Sequence, residues 1–316
     1  MLTLLTHPPA SSVRNSVLFF KRRVRGILFF VFRRRPVMPY YGPSLVAQSL
    51  CKGLSELGES FLLDPAEKHI SRVVGVLSGS DTLQWALEAK RRGAITHILA
   101  GPNIVVLPID EGKILLSQEI DHVIVNSEWV KNLYLRIAPT LQEKMSVWAA
   151  GSDEMPSGQG GNTLLIYKKN VPEELFHYVV GCLRQEGVPF RVLAYGSYMP
   201  EEFDALLRQS RGMVYLTDFE SQGMALQQAW MRNVATLVWN PGVYMMHGEH
   251  VPASSAPYLT SECGLFFRGK DDFKEMLHMF LSHLSFFIPQ IYARKLLSHR
   301  VSARHYLDIV QKNGYL

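Results

Sequence analysis

The chain of 316 residues is 47% hydrophobic and 19% charged, which favours two globular domains of ordinary size, each with enough apolar side chains for a buried core. The net charge of +5 is unevenly distributed: the first 40 residues hold eight basic residues and no acidic one, and the rest of the chain is mildly acidic. This distribution argues against a nucleic-acid-binding surface spread over the fold. Three well-separated cysteines without a Cys-x-x-Cys pair predict reduced thiols in a cytoplasmic protein, and no apolar run reaches the roughly 20 residues that span a bilayer.

Residues 1–35 form a basic N-terminal segment. Within it, residues 17–35 read VLFFKRRVRGILFFVFRRR, so that two short apolar runs flank a basic cluster. The broken runs and the lack of a small-residue cleavage site argue against a signal peptide. Two interpretations stay open. One is peripheral attachment to the anionic inner face of a membrane, with phenylalanines inserted and arginines at the headgroups. The other is a first buried strand of the N-terminal domain over residues 26–32.

Beyond this segment, short apolar runs alternate with helical patterns, which is typical of parallel sheets covered by helices. In the first half, helices are predicted over 44–57, 81–92 and 127–136, and strands over 72–77, 95–100, 121–126 and 145–149. In the second half, strands are predicted over 163–167, 190–195, 212–217 and 235–239, and helices over 172–186, 201–209, 222–232 and 288–311. Between the halves, residues 151–161 are polar and rich in Gly and Ser, which indicates a linker.

This alternation predicts an α/β protein with two Rossmann-like, doubly wound domains facing a cleft. We expect residues 36–150 to form the N-terminal domain, residues 151–297 to form the C-terminal domain, and residues 298–316 to form a helix that packs back on the N-terminal domain. The cleft is expected at the carboxyl ends of both sheets, where ligands bind in such folds.

The stretch 218–230, DFESQGMALQQAW, holds the most informative residues. It follows a predicted strand, so Glu220 lies on the loop at the carboxyl end of that strand. Ser221, Gln222 and Gly223 then open a predicted helix, whose free backbone N–H groups suit an anion such as a diphosphate. Glycine at 223 lets the backbone approach the ligand closely. The alternative is an ordinary strand-loop-helix unit with an acidic cap.

DFESQGMALQQAW resembles the Glu-x7-Glu segment of retaining GT-B glycosyltransferases, the families similar to glycosyltransferase families 1 and 4. Further stretches resemble the same family in the same order, over roughly residues 40–312: SEWV at 127–130, KMSVWAAGSD at 144–153, TLVWNPG at 236–242 and APYLTSECGLFF at 256–267. The resemblance implies that Glu220 is the catalytic carboxylate beside the donor sugar. It also implies that Gln228 takes the place of the second Glu, which binds the nucleotide ribose. Gln228 can accept a ribose hydrogen bond but brings no charge.

Four further residues are candidates for donor contacts. Lys168 and Lys169 end the first strand of the C-terminal domain, where the resemblance implies cations that neutralise the donor's two phosphates; the alternative is a pair of surface lysines. Gly42, in PYYGPS, resembles the glycine loop that faces these phosphates, although Ser44 after it also suits a helix N-cap. Asn103 follows a strand within Gly-Pro-Asn and either meets the acceptor or donor sugar or forms a turn.

The resemblance implies a retaining glycosyltransferase with a UDP- or GDP-sugar donor, an acceptor that is a glycan, lipid or protein, and a nucleotide-binding C-terminal domain opposite an acceptor-side N-terminal domain. We expect no metal, because HGEH at 247–250 matches no established zinc pattern and no Asp-x-Asp motif occurs. We also expect no obligatory cofactor and, from the charge distribution, no nucleic-acid partner. Two alternatives stay open: a non-catalytic binding or scaffold protein on a degenerate glycosyltransferase fold, and a sugar-nucleotide epimerase of similar architecture.

Overall fold

A computed structural model of the chain describes residues 1–9, 42–158, 160–246 and 248–315. These residues belong to two compact units. The first unit covers the ranges 1–125, 134–148 and 304–316, and the second covers 126–133 and 149–303.

The first unit is built on a six-stranded parallel sheet with the order β2-β1-β3-β4-β5-β6. Its strands are β1 (Leu2–Leu5), β2 (Phe61–Leu63), β3 (Val73–Ser78), β4 (His97–Asn103), β5 (His122–Val125) and β6 (Met145–Val147). The intervening helices are α1 (Gly42–Leu57), α2 (Ser80–Arg91) and α3 (Glu128–Ile137), whose residues 128–133 belong to the second unit. Parallel neighbours require such crossover connections, which is why helices alternate with strands along the chain.

Strand β1 is one of the elements that the sequence pattern does not predict. Leu2–Leu5 falls within the segment 1–35 that was interpreted as a basic arm, yet its residues pair with both β2 and β3. Leu2 and Leu4 are 2% and 0% exposed. These four residues therefore lie inside the sheet, whereas the aromatic residues to which the membrane interpretation refers lie outside the described residues. The strand predicted over 26–32, and the basic cluster around it, lie outside the described residues.

The second unit is built on a five-stranded parallel sheet with the order β13-β10-β9-β7-β8. Its strands are β7 (Thr163–Lys168), β8 (Phe190–Ala194), β9 (Ser210–Leu216), β10 (Ala235–Trp239) and β13 (Gly264–Phe267), and β11 (Val243–Met246) and β12 (Glu249–Pro252) form a separate antiparallel ribbon. The helices that follow are α4 (Glu173–Gln185), α5 (Pro200–Arg208), α6 (Met224–Met231), α7 (Lys270–Ser282) and α8 (Pro289–Leu297). The last helix, α9 (His299–Lys312), begins in this unit, and its residues from 304 on belong to the first unit.

The core of the second unit lies between one face of its sheet and the helices α4 and α7. Ile166 and Val214 on neighbouring strands pack with Leu183 of α4 and Phe280 of α7, and all four side chains are 0% exposed. Strands of a parallel sheet are covered by helices on both sides, so they carry continuous apolar runs rather than an alternating pattern. None of the helices in the described ranges combines the length and apolar character that a membrane crossing requires.

The predicted α/β class with two doubly wound domains is confirmed, and the strands and helices predicted between residues 44 and 239 are present with small shifts at their ends. One predicted element is divided: the helix over 288–311 consists of α8 and α9. Ser298, between them, has an extended backbone with φ −72° and ψ 156° and forms a bridge with Ser152. The sequence analysis did not predict α7 or the strands β2, β11, β12 and β13.

Candidate functional site

The second sheet reverses its direction of winding between β7 and β9. The chain passes from β7 to β8 on one side, and then crosses back so that β9 pairs with the other side of β7. In doubly wound sheets, ligands bind outside the carboxyl ends of the two strands that flank such a point. Lys169 directly follows β7 at this place, and Glu220 lies on the loop that follows β9.

Lys169 and Glu220 form an ion pair at this edge of the sheet. The Lys169 Nζ atom lies 2.7 Å from Glu220 Oε1, and the two side chains are only 21% and 12% exposed. The Lys169 backbone N–H donates to the carbonyl oxygen of Leu216 over 2.9 Å, which ties the start of this side chain to the end of β9. A partly buried pair is screened little by salt. The edge therefore presents one cation and one carboxylate in contact.

A buried tyrosine donates a second hydrogen bond to the same carboxylate oxygen. The Tyr215 hydroxyl lies 2.6 Å from Glu220 Oε1, and the Tyr215 side chain, on β9, is 1% exposed. Burial, together with the neighbouring Glu220 carboxylate, holds the pKa of the Tyr215 phenol well above its usual value. The phenol therefore stays protonated and acts as a donor at any pH that proteins normally meet.

Tyr215 belongs to a cluster of three buried tyrosines. Its ring stacks on that of Tyr167, its register partner on β7, with ring centroids 4.9 Å apart and planes 13° apart. The hydroxyl groups of Tyr167 and Tyr198 lie 2.6 Å apart, and burial raises the pKa of Tyr198 to about 12. The three rings therefore pack in series next to Glu220. Each hydroxyl has a hydrogen-bond partner, and each ring contacts the next.

The loop that carries Glu220 is held through its backbone from two further segments. The Glu220 N–H donates to the carbonyl oxygen of Ser254 over 2.9 Å, and Trp129 Nε1–H donates to the Glu220 carbonyl oxygen over 2.9 Å. The Ser255 hydroxyl donates to the carbonyl oxygen of Thr217 over 2.8 Å. Both peptide groups of Glu220 are thus fixed, so the position of its Cα is set by the fold and its side chain by Lys169 and Tyr215.

Several solved structures resemble the chain, among them the following three. The apo form of the lipopolysaccharide outer core galactosyltransferase WaaB matches over 99% of both chains with a TM-score of 0.58 and 10% identity. Sucrose-phosphate synthase from Thermosynechococcus elongatus matches over 98% of both chains with a TM-score of 0.53 and 9% identity. The pneumococcal O-GlcNAc transferase GtfA, in complex with UDP and GlcNAc, matches over 76% of this chain and 56% of its own with a TM-score of 0.50 and 10% identity.

The chain has the GT-B fold. No family model matches its sequence, and no curated protein is similar to it in sequence. Identities near 10% establish the fold alone, so the chemistry of this GT-B chain has to be argued from its own residues.

Within the GT-B fold, the helix after Glu220 begins later than predicted. Helix α6 starts at Met224 rather than at 222, because Gly223 has a left-handed backbone with φ 86° and stands as the residue before the helix. Ser221 is exposed on the loop. The Gln222 side chain is 3% exposed, donates to the carbonyl oxygen of Ala150 over 2.7 Å and accepts from its N–H over 3.1 Å. The Gln222 amide group therefore fastens the loop to the chain before β7.

The two candidate lysines take different directions. Lys168, the last residue of β7, places its Nζ atom 2.5 Å from Glu173 Oε1 and 4.1 Å from the ring centroid of Phe176, both in α4. Lys169 contacts Glu220 and places its Nζ atom 4.8 Å from the ring centroid of Tyr195. Neighbouring residues of an extended chain point to opposite sides, which separates the two ammonium groups. Lys169 is the lysine at the Glu220 site.

The remaining candidates lie elsewhere in the fold. Gln228 is half-buried on α6, in the helix that follows the Glu220 loop. Gly42 is the first residue of α1 in the first unit. Asn103 ends β4 after a cis Gly101–Pro102 bond, and its Nδ2 atom is buried without a partner among the described residues, which is a signal for a polar ligand.

The metal question concerns the HGEH stretch. Its first residue lies outside the described residues, and Glu249 and His250 are exposed on β12. Within the described ranges, no three His, Cys, Asp or Glu side chains are grouped closely enough to hold a metal ion.

Tyr215 and Trp129 are the site residues that sequence reasoning did not assign. A signal for Tyr215 exists, since a tyrosine within the apolar strand GMVYL needs a partner for its hydroxyl once buried. No comparable signal marks Trp129, because its acceptor lies far away in sequence.

Proposed function

We propose that this protein is a glycosyltransferase that takes its sugar from a nucleotide-sugar donor, UDP- or GDP-linked, and transfers it with retention at the anomeric carbon. The observation that carries this proposal is the Glu220 carboxylate, held by Lys169 and Tyr215 at the winding reversal of the second GT-B sheet. Support comes from the fold neighbours, which include a galactosyltransferase and a transferase in complex with UDP and GlcNAc. The acceptor is a glycan, a lipid or a protein.

The site has the two charges that such a transfer requires. As the glycosidic bond to the diphosphate breaks, positive charge develops at the anomeric carbon and negative charge develops on the leaving phosphate. Glu220 can accept hydrogen bonds from sugar hydroxyls and stabilise the positive charge, while Lys169 can stabilise the negative one. The backbone of Glu220 is fixed by hydrogen bonds to Ser254 and Trp129, so little reorganisation of this carboxylate is needed during the reaction. In this proposal the exposed Ser221 and the N–H groups near Gly223 lie along the phosphates.

Lys169→Met should weaken nucleoside diphosphate binding by about 1–3 kcal/mol, the scale of a hydrogen bond to a charged group. Two effects of the substitution both weaken binding of the negatively charged diphosphate. The variant removes a cation that attracts the phosphates, and it leaves the negative charge of Glu220 without a counter-charge beside them. Isothermal titration calorimetry with uridine and guanosine diphosphate measures the change.

Lys168→Met is the matched control for this experiment, since Lys168 neighbours Lys169 in sequence but pairs with Glu173 on α4. Its affinity for nucleoside diphosphates should equal that of the unmodified protein. A loss of affinity that is the same in both variants, or absent in both, contradicts the assignment of Lys169 to the diphosphate.

Gln228→Glu should tighten nucleoside diphosphate binding by about 1 kcal/mol, because a carboxylate accepts ribose hydroxyl hydrogen bonds about twice as strongly as an amide does. Gln228 is half-buried on the helix that follows the Glu220 loop. Calorimetry on both forms measures the effect. Weaker binding by the Glu variant shows that the position faces phosphate rather than ribose.

The alternative proposal is a non-catalytic binding protein on the same fold, and Gln228 in place of a carboxylate is the observation that favours it. Thermal-shift screening against uridine, guanosine and adenosine diphosphates, followed by assays of sugar release from the corresponding donors, separates the two. A ligand that binds only the folded state raises the melting temperature. Binding with donor turnover supports the enzyme, binding without turnover supports the scaffold, and no binding contradicts both.

A further inference from the structure

The two donors that hold Glu220 Oε1 differ in how firmly they are fixed. Lys169 reaches the carboxylate through a flexible four-carbon chain and is 21% exposed. Tyr215 reaches it from a strand in the middle of the sheet and is 1% exposed, with its ring stacked on Tyr167. A rigid aromatic ring with two rotatable bonds loses little freedom when it holds a partner, whereas the lysine can leave for another anion.

We propose that Tyr215 is a positioning residue that holds the Glu220 carboxylate by Oε1 and so directs Oε2 towards the donor sugar. This inference rests on the proposed function, in which Glu220 meets the sugar and Lys169 serves the diphosphate. Once a diphosphate draws Lys169 away, Tyr215 is the side chain that still fixes the rotamer of Glu220.

The chemistry of a phenol suits this task. Tyr215 is neutral, so it orients Glu220 without cancelling the negative charge that stabilises the sugar in the transition state. Its raised pKa, caused by burial and by the Glu220 carboxylate, keeps the proton on the phenol oxygen. A cation in the same place would orient Glu220 equally well and weaken its field at the anomeric carbon.

The surroundings of Tyr215 keep its hydroxyl in one place. Tyr167 lies beneath the ring, and the Tyr167 hydroxyl is in turn held by Tyr198 over 2.6 Å. Loss of the Tyr215 hydroxyl would leave this stack intact and, once Lys169 has moved to the diphosphate, free the Glu220 side chain to change rotamer. Loss of the Tyr167 hydroxyl would remove a buried phenol O–H one ring further from Glu220. The two positions therefore form a matched pair.

The test compares Tyr215→Phe with Tyr167→Phe in the full chain. Tyr215→Phe should lower kcat for the donor by about 10- to 100-fold, the scale of one hydrogen bond to a charged group, with KM and nucleoside diphosphate affinity changed by less than about threefold. Tyr167→Phe should keep kcat within about twofold, because no atom that touches Glu220 changes. Equal losses of kcat in the two variants, or none in Tyr215→Phe, overturn the inference.

A second measurement reads the position of Glu220 without any ligand. In protein labelled with ¹³C at glutamate side chains, the Glu220 signal is assigned by its absence in Glu220→Gln. In a Lys169→Met background, which removes the other donor to Oε1, it should be single and narrow with Tyr215 in place or with Tyr167→Phe, and averaged or broadened with Tyr215→Phe. An unchanged signal in Tyr215→Phe contradicts the inference even if the protein binds no nucleotide. Nucleotide binding by the unmodified protein separately decides the proposed function.

Discussion

Glu220→Gln should lower donor turnover by about 10²-fold or more, while the protein stays folded and still binds nucleoside diphosphate. The substitution keeps the size and shape of the side chain and leaves an amide oxygen for Tyr215 and Lys169. It removes the negative charge, which matters most when positive charge develops at the anomeric carbon. The effect therefore falls on kcat rather than on KM.

Nucleotide affinity gives the experiment its internal reference. A nucleoside diphosphate lacks the sugar that Glu220 is proposed to meet, so its affinity should be unchanged in Glu220→Gln or slightly higher, because a negative charge near the phosphates is removed. Glu201→Gln is the control for the loss of one carboxylate, since Glu201 is exposed in the first turn of α5. Turnover by a folded Glu220→Gln variant that equals that of the unmodified protein removes Glu220 from the reaction.

Leu4→Ala should lower the free energy of unfolding of the first unit by about 2–5 kcal/mol, the range for truncating a fully buried leucine. Leu4 is 0% exposed on β1 and pairs with Leu63 of β2 on one side and Gly75 of β3 on the other. The loss is a large part of the 5–15 kcal/mol that stabilises a typical domain, so partial unfolding at physiological temperature is expected.

Leu63→Ala is the matched control, because Leu63 faces Leu4 across the strand pair but is 47% exposed. Its effect should stay near 0.5 kcal/mol, roughly the limit for surface substitutions. Hydrogen exchange resolved by peptide is the suitable measurement, since a chain with two units need not unfold in one step. Equal stability of the two variants contradicts the assignment of β1 to the core and returns the first residues to the basic arm.

The N-terminus shows how a short strand escapes sequence analysis. Leu2–Leu5 is only four residues long, while the longer aromatic run at 26–32 has the length and composition of a strand. Strand β13, GLFF, is equally short. Such strands become recognisable only when partners on both sides supply hydrogen bonds and cover their side chains.

Sequence determined the class of the fold, the order of most strands and helices, and the place of Glu220 at the carboxyl end of β9, because apolar periodicity and loop composition act over a few neighbouring residues. Only the tertiary structure decided which side chains surround Glu220. Lys169 meets it because the winding reverses and places β7 beside β9, although β8 lies between them in the chain. Trp129 reaches its backbone from another segment, and Gln222 turns away to the backbone of Ala150. These contacts depend on strand order and loop geometry, which are fixed by packing between distant segments and leave no local pattern in the sequence.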